Sequence, residues 1–183
     1  MNFLSGTTDF FSKELFSQVS SYRHKVFIET LGWQLENEQG TEADQFDRPD
    51  TVYVVVQDEQ GHVNGCARLL PTDKPYLLGE VFPQLLNGLP VPASSEIWEL
   101  SRFAAMDFNQ RKTSALGQFS STVAIRLLQE SIACAVSLGA KRLITVSPIG
   151  IERLLRKAGF QAHRAGPPVI IDGQPIFACW IEV

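Results

Sequence analysis

The chain has 183 residues, 44% of them hydrophobic, with 16 basic and 20 acidic side chains and a net charge of -4. That length suits a single domain over residues 1–183 with a sizeable core. No apolar run approaches the roughly 18 residues that cross a bilayer, no basic-then-apolar leader is present, and no basic stripe interleaved with aromatics marks nucleic-acid binding, so a cytoplasmic protein is expected.

Asp9 or Ser12 offers a helix cap, and Phe11, Leu15, Val19, Tyr22 and Val26 recur three or four apart on one stripe, predicting an amphipathic helix that ends by Gly32. Arg23 and Phe27 share a side of that helix, with Trp33 just beyond; a cation and two aromatics there either pack or contact a ligand. From Gln34 to Asp50 the chain is polar, and the wider block from Glu29 to Glu59 holds nine acids against Arg48. Such long connections are often lids or binding segments, and this charge suits a cationic small molecule or a solvated face. If Asp44-Gln45-Phe46-Asp47 forms a turn, its two carboxylates converge on one side and Phe46 anchors the other; if extended, they diverge.

The runs Thr51 to Val56 and Val63 to Leu70, joined by Asp58-Glu59-Gln60-Gly61, predict an antiparallel hairpin. Arg68, flanked by Cys66, Ala67, Leu69 and Leu70, faces solvent or a buried pocket. Tyr76 to Leu86 reads as a short apolar crossover. In Ile97-Trp98-Glu99-Leu100-Ser101-Arg102-Phe103-Ala104, period-two alternation puts Glu99 and Arg102 on opposite faces, each among bulky neighbours. An ion among apolar groups is costly unless paired or serving a ligand, so this strand carries either an ion pair or part of a polar pocket.

A polar connection from Met106 to Thr113 leads to a helix predicted from Ser114 to Leu138, carrying Leu116, Phe119, Val123 and Ile132 and stopping at Gly139. Lys141 to Ser147 reads as a buried strand, Ile149 to Ala158 as a helix closed by Gly159, and Val169 to Ile171 with Pro175 to Ile181 as a terminal hairpin. The predicted class is α+β, a mixed twisted sheet flanked by helices, without repeats or a second domain. Cys66, Cys134 and Cys179 are odd in number and lack C-x-x-C spacing, which predicts buried free thiols, and His24, His62 and His163 have no ligand spacing, so no metal is expected.

Taken together, Arg23, Phe27 and Trp33, the Asp44-Gln45-Phe46-Asp47 tetrad, Arg68 before Leu69-Leu70-Pro71, and Trp98-Glu99-Leu100-Ser101-Arg102-Phe103 resemble the acyl-homoserine-lactone synthases of the autoinducer-synthase (LuxI-type) family. The resemblance runs over nearly the whole chain. It implies a fold similar to the GCN5-related N-acetyltransferases and a role in quorum sensing. The implied reaction is acyl transfer from acyl carrier protein or coenzyme A to the amine of S-adenosylmethionine, then lactonisation with release of 5′-methylthioadenosine. S-adenosylmethionine is a co-substrate in that scheme, and no cofactor is expected. The glycine-rich coenzyme A loop of an ordinary acetyltransferase is missing from Asp107 to Ala115, which favours the synthase over an acyltransferase acting on another amine. A non-catalytic sensor of S-adenosylmethionine or lactone is the remaining alternative.

On this resemblance Phe27 and Trp33 offer aromatic faces to the sulfonium or adenine, Asp44 and Asp47 take the amino end or balance the sulfonium, an arginine, Arg23 or Arg102 by preference, grips the carboxylate, and Arg68 and Phe103 also belong to the S-adenosylmethionine site. Glu99 is the candidate base; alternatively it orients Arg102 or Arg68. Leu78, Phe82, Leu100, Phe103, Ile144, Val146 and Leu154 are candidates for the acyl pocket, and Thr145 for reading a substituent at C3. Lys141, Arg142, Arg153, Arg156 and Lys157 would suit an acidic carrier protein.

Overall fold

Among residues 1–35, 40–108 and 122–183, which the computed structural model describes, the apolar runs resolve into strands and helices in a mixed order. These are β1 (Asn2–Thr7), α1 (Lys13–Arg23), β2 (Val52–Gln57), β3 (Val63–Pro71), α2 (Leu77–Val81), β4 (Ile97–Ala104), α3 (Thr122–Ser137), β5 (Arg142–Pro148), α4 (Ile151–Lys157), β6 (Ala162–Arg164), β7 (Val169–Ile171) and β8 (Gln174–Glu182). They form two units, one of Met1–Arg68 with Arg102–Ser131 and one of Leu69–Ser101 with Ile132–Val183. β3, β4 and α3 each pass without a break from one unit into the other.

In the first unit the strand order is β1-β2-β3-β4. β1 pairs antiparallel with β2 from Asn2↔Gln57 to Thr7↔Val52. Sequence reading missed β1 because Asn-Phe-Leu-Ser-Gly-Thr has little β-branching and no alternation; cross-strand hydrogen bonds to β2 supply what propensity does not. Ser12, not Asp9, caps α1, its hydroxyl accepting from the Leu15 N–H at 3.2 Å. Beyond Arg23 the helix widens into a π-helical segment, His24–Thr30, marked by Leu31 N–H donating to the Val26 carbonyl at 2.9 Å. Of the predicted stripe, Phe11, Val19, Tyr22 and Val26 are buried and, with Phe27, pack with Tyr53, Val55, Cys66, Ala104 and Met106, while Leu15 is partly buried against them. The Tyr22 hydroxyl ties three backbone groups, lying 3.1 Å from the carbonyls of Asn64 and Met106 and accepting from the Met106 N–H at 2.7 Å.

In the second unit the order is β3-β4-β5-β8-β6, with β7 on β8. β4 and β5 run parallel with Ile97↔Arg142, Trp98↔Leu143 and Glu99↔Ile144 in register, and β5 pairs antiparallel with β8 from Arg142↔Glu182 to Pro148↔Ile176. Parallel and antiparallel pairs in one sheet with flanking helices confirm the α+β class. Of the helix predicted from Ser114, Thr122–Ser137 is observed and its first eight positions lie outside the described residues, as do Leu116 and Phe119 and most of the connection from Met106 to Thr113. Gly139 ends α3 as expected, at φ 96°, with its N–H on Val136 O and the Ala140 N–H on Ala135 O. α4 starts two residues later than predicted because Gly150, at φ 99°, turns the chain first. β6 is three residues long, too short to leave a periodic signal.

One expectation fails within β4. Arg102 has φ 49°, in the left-handed region, so strict alternation does not run to the end of the strand. The strand turns there, and the cause is the destination of the guanidinium described next.

Candidate active site

Six charged side chains of the first unit close into a ring. Arg23 Nε meets Glu42 Oε2 at 2.6 Å, and the other oxygen of Glu42 meets Arg102 Nη2 at 2.9 Å. Arg102 Nη2 also lies 2.9 Å from Asp44 Oδ2. Asp44 takes a two-pronged grip from Arg68, Nη1 to Oδ1 at 2.6 Å and Nη2 to Oδ2 at 3.1 Å. Arg68 Nη1 reaches Asp47 Oδ1 at 2.8 Å, and that oxygen lies 2.9 Å from Arg23 Nη1, which completes the circuit. Three cations alternate with three anions, so the ring carries no net charge. That balance lets it be buried: side-chain exposure is 0% for Arg23 and Arg68 and rises to only 14%, at Asp44.

The tetrad builds its share by forming a turn. The Asp47 N–H donates to the Asp44 carbonyl at 3.0 Å, the Phe46 N–H to Asp44 Oδ1 at 2.9 Å, and the Asp44 N–H to Asp47 Oδ2 at 2.8 Å. Both carboxylates therefore converge, and Phe46 is buried on the other side at 1% exposure. Each arginine also lies over an aromatic ring, Arg23 over Tyr53 at 6.0 Å, Arg68 over Phe46 at 5.7 Å and Arg102 over Phe27 at 5.6 Å. Phe27 in turn stacks on Trp33 with centroids 4.8 Å apart, and Trp33 is 41% exposed.

Burial by itself would raise the Asp47 carboxyl, but Arg23 and Arg68 beside it, with hydrogen bonds from Arg23 and Tyr53, hold it far below the usual carboxylate range. Burial likewise works against ionised Glu42 and is overcome by Arg23 and Arg102. Arg23 is desolvated too, yet Tyr53, Asp47 and Glu42 raise it well above an ordinary arginine. Its Nη2 is buried with no hydrogen-bond partner among the described residues.

Sequence reading singled out Arg23, Asp44, Asp47, Arg68, Arg102, Phe27 and Trp33, and the structure brings these side chains into one cluster. Two members were passed over. Glu42 was one acid among nine, and Tyr53 was one apolar position of a strand. The available signal for Tyr53 was its place six residues after Asp47 in an apolar run, buried from Val52 to Val56, where a phenol needs a partner.

Glu99 belongs to the second unit and is fully buried there. Its Oε2 accepts from the Leu77 N–H at 3.1 Å and its Oε1 from the Leu78 N–H at 2.7 Å, so it satisfies the first turn of α2. Of the other candidates in that unit, Leu78, Leu100 and Ile144 are buried, Phe82, Val146 and Leu154 half-buried. Thr145 points to the face of β5 opposite Ile144 and Val146, so the three cannot line one side of the sheet. The Thr145 hydroxyl lies 3.4 Å from the Val146 carbonyl. Phe103 follows Arg102 in the first unit and is half-buried. Lys141 pairs with Glu96, Arg142 with Glu182 while lying over Trp180, and Arg156 with Glu152; Arg153 and Lys157 are exposed.

The model of the autoinducer synthase family matches residues 8–183. The chain belongs to the autoinducer synthase family. It is 59% identical over 183 residues, covering both chains in full, to the acyl-homoserine-lactone synthase of Acinetobacter nosocomialis. TofI, crystallised in a ternary complex with an inhibitor and MTA, superposes with a TM-score of 0.84 at 43% identity over 100% of this chain and 91% of its own. BjaI, a coenzyme A-dependent acyl-homoserine lactone synthase solved with SAM and isopentyl-CoA, gives 0.83 at 25% identity over 99% and 82%. An acyl-CoA N-acyltransferase from Pseudomonas aeruginosa shares the fold alone, at a TM-score of 0.61 and 15% identity over 98% and 97%. This autoinducer synthase is therefore an acyltransferase by family, built on the fold of N-acyltransferases.

Proposed function

We propose that this acyl-homoserine-lactone synthase holds S-adenosylmethionine at the arginine–carboxylate ring, acylates its α-amine from an acyl thioester, and then closes the product to the lactone with release of 5′-methylthioadenosine. The ring is the observation that carries the reading: S-adenosylmethionine presents a carboxylate, an ammonium and a sulfonium, and only a site offering both charge signs complements all three. The relative BjaI was solved with SAM and isopentyl-CoA, which supports the same pair of substrates here. The arginine assigned to the carboxylate is Arg23, whose buried Nη2 has no acceptor among the described residues, a state that costs about 1–3 kcal/mol until filled. Asp44 and Asp47 take the amino end, and the Phe27–Trp33 stack faces the sulfonium or adenine.

An α-amine has a pKa of about 7.7–8.0, and only its neutral form attacks. Glu99 draws the proton away, directly or through water, and its two backbone N–H bonds fix its orientation. The amine nitrogen bonds to the thioester carbon, the carbon–sulfur bond breaks, and the thiol leaves. Backbone N–H groups beside Phe103, after the left-handed Arg102, receive the oxyanion. The carboxylate then attacks the carbon next to the sulfonium, and methylthioadenosine departs; proximity within the bound molecule drives this second step. Leu78, Phe82, Leu100, Ile144, Val146 and Leu154 are assigned to the acyl chain, and Thr145, on the other face of β5 from Ile144 and Val146, does not join them as a reader of C3. Arg153 and Lys157, together with Lys141, Arg142 and Arg156, meet an acidic carrier protein. The protein works in the cytoplasm as one functional domain, consistent with three elements passing through both units and with no described helix long and apolar enough to cross a membrane.

Incubation with S-adenosylmethionine and a panel of acyl thioesters, read by mass spectrometry, tests the proposal. Methylthioadenosine and an acyl-homoserine lactone are expected, and absence of both across the panel refutes it. Glu99→Gln should lower kcat while leaving S-adenosylmethionine binding intact; equal loss of binding would make Glu99 a ligand, not a base.

A further inference from the structure

The ring is not equally firm all round. Asp44 is its most exposed member and takes its hydrogen bonds from Arg68, Arg102 and the Phe46 N–H. On the opposite side, the Asp47–Arg23 edge carries an extra partner from outside the ring. The Tyr53 hydroxyl donates to Asp47 Oδ1 and accepts from Arg23 Nη1 at 2.8 Å, and Tyr53 itself is 0% exposed. Its ring also lies beneath the Arg23 guanidinium. β2 fixes the phenol in place, because Tyr53 is paired in register with Gly6 of β1 and packs edge-on against Phe16.

A closed, neutral ring has a consequence for binding. Every carboxylate of the ring already has its arginine partners, so the ammonium of a zwitterionic substrate must exchange with one of them. Exchange is easiest at the member that solvent reaches and hardest where a third group bridges the pair. We propose that Tyr53 is a positioning residue for the reaction: it bolts the buried Asp47–Arg23 edge, so that the ring yields to S-adenosylmethionine at Asp44 while Asp47 and Arg23 keep their places. This rests on the reading that the ring holds S-adenosylmethionine. Tyr53 touches no reacting atom, and its effect passes through the aim of Asp47 and Arg23.

Tyr53→Phe keeps the ring and removes the bolt. Loss of a hydrogen bond to a charged group should raise KM for S-adenosylmethionine about tenfold, leaving kcat and KM for the acyl donor within about twofold. Tyr22→Phe is the control, since it removes another buried phenol of the same unit whose partners are backbone groups. It should lower Tm without moving KM for S-adenosylmethionine. p-Aminophenylalanine at position 53 restores a donor to Asp47 and should return that KM to within about threefold of wild type, a readout that holds even if the phenylalanine variant does not fold. Calorimetric titration of the wild type with S-adenosylmethionine separates two failures. No binding by the wild type overturns the reading of the ring and this proposal together. Binding by the wild type, with Y53F unchanged in KM or changed in every parameter as Y22F is, or a tenfold defect in the p-amino variant, overturns the proposal alone.

Discussion

Removing one anion from the ring is the most direct way to test whether its balance matters. In Glu42→Gln the carboxylate that accepts from Arg23 Nε at 2.6 Å and from Arg102 Nη2 at 2.9 Å becomes an amide, and the ring is left with three cations and two anions. Glu42 is fully buried, so solvent cannot substitute for the lost charge. Deleting one partner of a buried ion pair costs about 3–5 kcal/mol, a large share of the roughly 5–15 kcal/mol that holds a domain together. At about 2–4 °C per kcal/mol for a chain of this size, Tm should fall by roughly 10 °C. The measurement is thermal unfolding at pH 7 in low and high salt. The loss should persist at about 0.5 M salt, because buried pairs are poorly screened. A fall under about 3 °C, or one abolished by salt, would show that the ring is not a buried, mutually dependent unit.

The acid limb gives a second check. Asp47 and Glu42 have folded pKa values below their unfolded ones, so their stabilisation is complete above the unfolded value of about 4 and drains as pH falls toward the folded values. Wild-type Tm should decline progressively below about pH 5, and E42Q should show a shallower decline, measured by calorimetry across pH 3 to 7. Burial pushes the Cys66 and Cys179 thiols up to about 12, so neither should react with a disulfide reagent at pH 8 until the protein unfolds, counted by absorbance of the released thiolate. A Cβ on Gly166 would run into the Leu85 carbonyl oxygen; Gly166→Ala should therefore cost about 1–3 kcal/mol, read as a Tm several degrees lower. Reversing the exposed pair, Arg153→Glu with Lys157→Glu, should raise KM for a carrier-protein donor about tenfold and leave KM for S-adenosylmethionine unchanged in steady-state assays.

Much of this protein was legible without coordinates, for definite reasons. The stripe from Phe11 to Val26 has helical period, the runs flanking Gly61 have the composition and punctuation of a hairpin, and Gly139 and Gly159 stop helices because left-handed backbone suits glycine. Arg68 and Arg102 stood out because an arginine among apolar neighbours demands an explanation, and the tetrad could be read as a turn because Asp44 can accept from its own backbone two residues on.

What the tertiary structure alone decided is which charges meet. Glu42 and Tyr53 look unexceptional in sequence, one within an acidic run and one within an apolar strand; their partners lie 19 and 60 residues away for Glu42 and 30 for the bond from Arg23 to Tyr53. Pairing over such distances leaves no local period. The left-handed Arg102 is likewise invisible in an alternating octet, because it answers to carboxylates delivered by another segment. Local pattern determined where the helices and strands run, since periodicity and backbone chemistry act within a few residues. The ring, and with it the site, is set by burial, which forces each ion to find a counter-ion wherever the fold brings one within reach.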